Sequence, residues 1–258
     1  MLQIERHEKI VQYINEIQKT TTEQLAEQLN VSKPTIRRDI DTLSKAGLIR
    51  KVHGGAVAVS STSLHEIPYS NKQNTNASAK QKIGIAAARL IESGDIIILD
   101  SGTTSLEVAK NLDKPEITVL TNDIKIAMEL AVKDNVQTFV CEGRLNTPVY
   151  TLSGSAPIEF FRKVHVNKLF LGCDALDFSF GISDSNSETA EAKKAMIHAA
   201  DEVILITDAS KIGKKTFCYV CDISNIHTII TDTLDDIALR IFKENGTDVI
   251  LTDYLDGV

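Results

Sequence analysis

The sequence predicts an α/β protein in two unequal parts. A small N-terminal head of three helices and a hairpin precedes a larger domain in which strands and helices alternate around a largely parallel sheet. Three observations carry this. The 258 residues exceed one ordinary small domain and suit one large domain or two unequal ones. A Ser-, Asn- and Thr-rich stretch, 59–80, interrupts the apolar pattern and reads as a linker, with a short ordered piece around Ile67–Tyr69. Charge also divides there: the chain carries −7 in all, yet residues 1–60 hold nine Lys/Arg against seven Asp/Glu. The expected organisation is therefore 1–58, a linker 59–80, and 81–258.

At 43% hydrophobic and 24% charged residues, the composition is that of a globular protein and excludes a disordered one. No run approaches the roughly 18 apolar residues of a membrane-spanning helix. The start, MLQIERHEKI, is charged and helical in pattern, unlike an export signal. Cys141, Cys173, Cys218 and Cys221 are accordingly expected to stay reduced in a cytoplasmic protein.

In the head, Ile10, Val11, Ile14 and Ile17 form a helical stripe, which predicts a first helix over 4–18. Thr20-Thr21-Thr22-Glu23 offers a cap with Glu at the third position, opening a second helix that buries Leu25, Ala26 and Leu29 and ends at Asn30. Ser32 caps a third helix, Pro34 is tolerated in its first turn, and Ile36, Ile40 and Leu43 form its buried stripe. Gly47 is placed just past its end. Two helices joined by a four-residue turn make a helix-turn-helix, whose second member enters the DNA major groove. LIRKVHGGAVAV then reads as two short strands around His53-Gly54-Gly55, the wing of a winged helix. Six basic residues against two acidic ones within 30–55 put positive charge on this part. The expected DNA contacts are Thr22, Ser32, Lys33, Thr35, Arg37, Arg38, Arg50, Lys51, His53 and Gly54, since arginine forks onto guanine and lysine or hydroxyls hold phosphates. A plain three-helix docking module with a solvated basic face is the other reading of the same residues.

In the larger part, apolar runs at Ile96–Leu99, Ile117–Leu120, Val136–Val140, Lys168–Leu171, Val203–Ile206, Thr228–Ile230 and Val249–Leu251 read as strands. Helical patterns fall between them, near 82–92, 104–111, 123–133, 155–163, 188–200 and 235–244. Such alternation implies a parallel sheet with helices on both faces, and ligands then bind beyond the carboxyl ends of the strands. The first strand runs through Asp100-Ser101-Gly102-Thr103-Thr104 straight into a helix. Glycine, hydroxyls and a helix N-terminus suit a phosphate, and equally suit a small-residue turn that only caps a helix. Other strand ends supply Thr121, Asn122, Arg144, Asp174, Asp208 and Lys211, with Gly181, Glu188 and Lys193 between the fourth and fifth. Hydroxyls, carboxylates and cations on one edge point to a polyhydroxylated anion such as a sugar phosphate.

SKPTIRRDIDTLSKAGLIRKVHGGA, preceded by ERHEKIVQYI, resembles the N-terminal signature of the DeoR family of bacterial repressors. LDSGTTSLEVA, LFLGCDALDFSFGISD and ETAEAKKAMIHAADEVILITDASKIG are similar to the sensor domain of the same family. The resemblance spans nearly the whole chain. It implies operator binding by the head and a C-terminal domain that senses a sugar phosphate on a sugar-phosphate isomerase-like fold. Lys72, Glu142 and Ala175 depart from the family pattern, standing where an arginine and two glycines are usual.

Isomerase relatives raise the question of an enzyme, with Asp174, Glu188 or Asp208 as acid or base. No histidine stands at a strand end to assist, and a free isomerase has no use for a DNA-binding head, so the expectation is a regulator without catalytic residues; a sugar-phosphate isomerase with a docking module is the alternative. Cys218 and Cys221 have the spacing of half a metal site but no second pair, so neither metal nor cofactor is expected. One head covers too little DNA for operator specificity, which implies a homo-oligomer, at least a dimer.

Overall fold

A computed structural model of the chain describes residues 2–17, 19–45, 48–58 and 67–254. Two compact units, Met1–Ser63 and Leu64–Val258, divide the chain.

The first unit holds α1 (Gln3–Ile17), β1 (Lys19–Thr21), α2 (Thr22–Leu29), α3 (Lys33–Lys45), β2 (Ile49–Val52) and β3 (Gly55–Ala58). Ile10 and Ile14 of α1, Leu25 of α2 and Ile36, Ile40 and Leu43 of α3 close one core, as their helical spacing predicts. The cap of α2 differs from expectation by one residue. Thr21 accepts from the Gln24 amide and the Gln24 side chain accepts from the Thr21 amide, a complete capping box. Thr20 is left free to enter the short strand β1, which pairs with β3 and which sequence reading missed. The third-helix glycine, Gly47, lies outside the described residues. The hairpin β2–β3 forms as expected around His53-Gly54. Gly55 is required by proximity: a Cβ there would sit 2.1 Å from the Thr20 carbonyl oxygen.

In the second unit, α4 (Tyr69–Asn74) and α5 (Ala77–Arg89) precede β4 (Ile96–Leu99), α6 (Thr103–Lys110), β5 (Ile117–Thr121), α7 (Ile124–Leu130) and β6 (Val136–Val140). A hairpin of β7 (Arg144–Asn146) and β8 (Thr151–Ser153) leads to α8 (Ser155–Arg162) and β9 (Val166–Leu171). Then come β10 (Ala175–Asp177), β11 (Gly181–Asp184), α9 (Ser187–Ala199), β12 (Ala200–Ile206), β13 (Cys218–Cys221), β14 (Thr228–Thr231), α10 (Asp236–Glu244) and β15 (Asp248–Leu251). The main sheet has the order β15-β14-β12-β9-β4-β5-β6, and each neighbouring pair is parallel. Ile97, Leu99, Ile204 and Ile206 face one core with residues of α5, α6 and α7. Ile98, Val203 and Leu205 face the other with residues of α8, α9 and α10. Both faces are covered, which is why these strands are unbroken apolar runs instead of alternating ones. The antiparallel sheet β10-β11-β13 and the hairpin β7–β8 lack such runs and were not expected.

From Tyr69 onward, the segment expected to be linker is helical. Pro68, with its φ preset at −53°, takes the N-cap of α4. Tyr69 is buried, donates its amide to the Pro148 carbonyl at 2.7 Å and meets Tyr150 edge to face. The alanine-rich α5 has high helix propensity and buries Ile83 and Ala87. The polar residues of 70–82 divide between an exposed helix face and inward partners such as Lys72 and Lys80, so a polar composition here does not mean a lack of structure.

Candidate functional site

Each unit presents one candidate. In the first, α3 buries Asp39 with its apolar stripe and turns Lys33, Arg37 and Arg38 outward. Ser32 caps it: its hydroxyl accepts from the Thr35 amide at 3.3 Å and bonds the Thr35 hydroxyl at 2.8 Å. Arg37, Arg38, Arg50 and His53 are exposed and make no ion pair among the described residues. Lys33 and Lys51 are exposed but paired, with Glu23 and Asp41 respectively. Thr22 corrects the expectation of a DNA contact. It is buried, and both its amide (2.9 Å) and its hydroxyl (3.1 Å) donate to the Gly54 carbonyl. Thr22 therefore ties the wing turn to the start of α2. The other expected contacts lie on α3 and the hairpin, grouped on one unit whose core is elsewhere.

Buried Asp39 is the feature that sequence reading missed here. Arg6 donates to both of its oxygens, Nε to Oδ2 at 2.6 Å and Nη2 to Oδ1 at 3.1 Å. His7 Nε2 lies 2.9 Å from Oδ1. Burial alone raises the Asp39 pKa, but the hydrogen bonds and charges of Arg6 and His7 outweigh it and hold the carboxyl below its ordinary range. A signal was present: Asp39 stands three residues after Ile36 and four before Leu43, on the inward stripe.

In the second unit, β4 has β5 on one side and β9 on the other, so the strand order reverses there. Crevices at such switch points, outside the carboxyl ends of the strands, are where ligands bind in open α/β sheets. Beyond β4 lie Asp100, Ser101 and Gly102, then α6. Gly102 takes φ 137° as N-cap, with no side-chain cap, and a Cβ on it would meet nothing within 4 Å. Its amide donates to Asp123 Oδ2 at 3.0 Å. The first intrahelical donor of α6 is Leu106, so the amides of the first turn remain available, as at any uncapped helix start. Asp123 caps α7 with its other oxygen. Burial raises its pKa to about 6 against the opposing backbone hydrogen bonds.

Several expected ligand contacts are braces instead. Asp100 is fully buried. It accepts from the Ser101 amide at 2.8 Å, the Gly172 amide at 2.9 Å and Lys193 Nζ at 2.6 Å. Lys193 is buried too, and also donates to the Gly172 carbonyl at 2.8 Å and lies 3.4 Å from Asp184. Burial would lower its pKa, but Asp100 and Asp184 prevail and raise it. Burial and the charge of Asp174 lift Asp184 to about 6, against Lys193. Thr121 is buried and accepts from the Asp123 amide at 3.1 Å. A Cβ on Gly181 would lie 2.3 Å from the Cys221 carbonyl oxygen, so this glycine serves the pairing of β11 with β13. Asp100, Thr121, Gly181 and Lys193 thus hold the loops that shape the crevice.

Ser101 and Thr104 are half-buried and Thr103 is more deeply set. Asp174 accepts from Lys72 Nζ at 2.7 Å and from the Ser185 hydroxyl at 2.6 Å. Burial alone would raise its pKa, yet Lys72 overrides this and depresses it. Asp208 accepts from Asn76 Nδ2 at 2.8 Å and the Ser210 amide at 3.1 Å. Lys80, nearly buried, donates to the carbonyls of Lys72 and Thr75, and burial lowers its pKa to about 8. Lys211 is half-buried, close enough to Asp174 for their charges to interact, and makes no ion pair among the described residues. Arg144 and Glu188 pair at 2.8 Å on the exposed rim. Asn122 is buried with its Oδ1 unpartnered. Lys72 on α4, Asn76 at the N-cap of α5 and Lys80 on α5 all fall in the stretch 59–80 that reads as linker, where only the departure at Lys72 points to them. Among the described residues no group of three His, Cys, Asp or Glu could hold a metal, and no helix is long and apolar enough to cross a membrane.

Residues 6–62 match the DeoR-like helix-turn-helix domain and residues 75–233 the DeoR C terminal sensor domain. The chain is 36% identical over 250 residues to the uncharacterized HTH-type transcriptional regulator YulB of Bacillus subtilis, covering 96% of each chain. It is 33% identical to the HTH-type transcriptional repressor GlcR of the same organism, covering 100% of this chain and 99% of that one. Among solved structures, a ribose 5-phosphate isomerase from Methanocaldococcus jannaschii aligns at 15% identity and a TM-score of 0.39, over 54% of this chain and 55% of that one.

Proposed function

The chain belongs to the DeoR family of transcriptional regulators, and from that premise we propose that it is a DNA-binding repressor of a sugar-metabolism operon whose operator binding is modulated by a phosphorylated sugar. The observation that carries the reading is the pairing of two surfaces in one chain. The head offers Arg37, Arg38, Arg50 and His53, exposed and without an ion pair among the described residues, on one helix-turn-helix and its wing. The second unit offers an uncapped helix start at Gly102–Thr104, and beyond β12 Lys211, which makes no ion pair among the described residues.

The free amides of α6 and the Lys211 ammonium suit a phosphate. Asp208, Asn76, Asp174 and Glu188 suit sugar hydroxyls, because carboxylates and amides accept and donate in the pattern a polyol offers. The ligand binds without turnover. In this reading Asp174, Asp208 and Glu188 serve as acceptors: they already accept from Lys72, Asn76 and Arg144, which orients them and leaves further lone pairs for sugar hydroxyls. At least two copies act together, since one head covers too little DNA for operator specificity. The effector acts by favouring one arrangement of heads over another, with a coupling of about 1–3 kcal/mol, or roughly 5–150-fold in operator affinity.

Thermal-shift screening of a panel of pentose and hexose phosphates, followed by operator titration with each hit, tests the reading. At least one sugar phosphate is expected to raise the melting temperature and change operator affinity. A panel without any such hit, or turnover of a hit in a coupled isomerase assay, refutes it.

A further inference from the structure

We propose that Arg6 and His7 are positioning residues for DNA recognition: by gripping the buried Asp39 carboxylate they set the rotation of α3 about its own axis, and hence where Arg37 and Arg38 point. The inference rests on the DNA-binding reading and goes beyond it, because neither residue lies on the face expected to touch DNA.

Asp39 is the one buried carboxylate among the described residues of the head, and the donors it receives there from other elements come from α1. Arg6 reaches both carboxylate oxygens at once, which defines a plane and a direction as well as a distance. Asp39 accepts through both oxygens and is kept ionised by these partners, so His7 meets it as a donor through Nε2–H. The apolar contacts of Ile36, Ile40 and Leu43 hold α3 against α1 and α2. They are non-directional, and by themselves they tolerate a small roll of the helix. A three-bond grip on one carboxylate does not.

The geometry of an α-helix turns this into a reading of DNA. At about 100° per residue, Arg37 projects about 160° from Asp39 and Arg38 about 100° from it. A side-chain group about 5–6 Å from the helix axis moves about 1 Å for every 10° of roll. Hydrogen bonds to base edges tolerate only a few tenths of an ångström, so a roll of 10° loses a bidentate contact. Phosphate contacts, made by long flexible side chains to a continuous negative surface, survive it. Loosening the grip therefore lowers sequence selectivity while leaving non-specific affinity in place.

The experiment uses full-length protein, with an operator duplex selected from randomised DNA by the wild-type protein, and poly(dI-dC) as the non-specific probe. Arg6→Lys keeps the charge beside Asp39 but loses the two-point grip. His7→Gln keeps an N–H donor and His7→Ala removes it. Arg6→Lys and His7→Ala are expected to lower the ratio of specific to non-specific affinity about tenfold or more, the worth of one good base contact. Affinity for poly(dI-dC), its salt dependence and the melting temperature should stay near wild type, and His7→Gln should keep most of the selectivity. The proposal is overturned if Arg6→Lys and His7→Ala keep the wild-type ratio, or if both affinities fall together with the melting temperature. Should Arg6→Lys fail to fold, the contrast between His7→Ala and His7→Gln decides alone, and equal selectivity in the two overturns it. If wild-type selection enriches no sequence at all, the DNA-binding reading fails instead, which is a separate result.

Discussion

Replacing Lys193 with methionine removes the ammonium that touches both buried carboxylates, Asp100 at 2.6 Å and Asp184 at 3.4 Å, and keeps the length of the side chain. Asp100 is fully buried, Asp184 is 4% exposed and Lys193 is 3% exposed, so water cannot take over the role of the ammonium. Removing one partner of a buried ion pair costs about 3–5 kcal/mol, because an uncompensated charge is left behind. For a unit of this size roughly 2–4 °C of melting temperature is lost per kcal/mol, so a fall of about 6–20 °C is expected near neutral pH. The dependence on pH follows from Asp184, whose carboxyl stands at about 6 with Lys193 present and rises further without it. A carboxyl raised in the folded state contributes stability that is fully present below its unfolded value and is lost as pH rises through its folded value. The penalty of Lys193→Met is therefore largest near about pH 7.5 and shrinks towards about pH 5, where Asp184 takes up a proton and no longer needs a cation. Calorimetry of the full-length protein at both pH values reads this directly. A double variant with Asp184→Asn should recover part of the loss. A fall of less than about 2 °C near neutral pH, or a gap from wild type that widens on acidification, would refute the account of these braces.

Four further outcomes are expected. Gly55→Ala places a methyl on the Thr20 carbonyl and should destabilise the head by about 1–3 kcal/mol, a typical overpacking cost, seen as an earlier melt of the head and weaker operator binding; an unchanged melt contradicts the β1–β3 seam. Arg37→Ala or Arg38→Ala should weaken operator binding by about 1–3 kcal/mol where the side chain reads a base, measured by fluorescence anisotropy, and no loss in either means that α3 is not the reading helix. Lys211→Ala should abolish the response to a sugar phosphate while operator affinity without ligand stays near wild type; undiminished stabilisation by the sugar phosphate places its phosphate elsewhere. Arg144→Ala should change stability by no more than about 1 kcal/mol, because its pair with Glu188 is exposed, and a larger fall in denaturant titration would show that the rim pair is structural.

Much of the fold was legible along the chain. β4 (Ile96–Leu99) has the bounds its apolar run predicts, because a strand in a covered parallel sheet is apolar along its length and ends where polar residues begin; β6 (Val136–Val140) has its expected bounds too, although as an edge strand it is largely exposed and carries Gln137 and Thr138. The stripe of α3 and the left-handed Asn30 that closes α2 were legible for the same reason, since helix period and backbone preference act within a few residues. The loop Asp100–Thr104 could be placed at the crevice because a strand running straight into a helix leaves its polar residues at the carboxyl edge. The division of labour within the crevice was not legible. Lys193 and Asp100 are 93 residues apart, Lys72 and Asp174 are 102 apart, and Arg6 and Asp39 are 33 apart. Before the chain is packed, each of these charges has many possible partners of opposite sign. Which of them meet, and which, like Lys211 and Arg37, make no ion pair among the described residues, depends on through-space distance and on burial. Periodicity carries information about neighbours in sequence, whereas the worth of a charge is set by its neighbours in space and by whether water still reaches it.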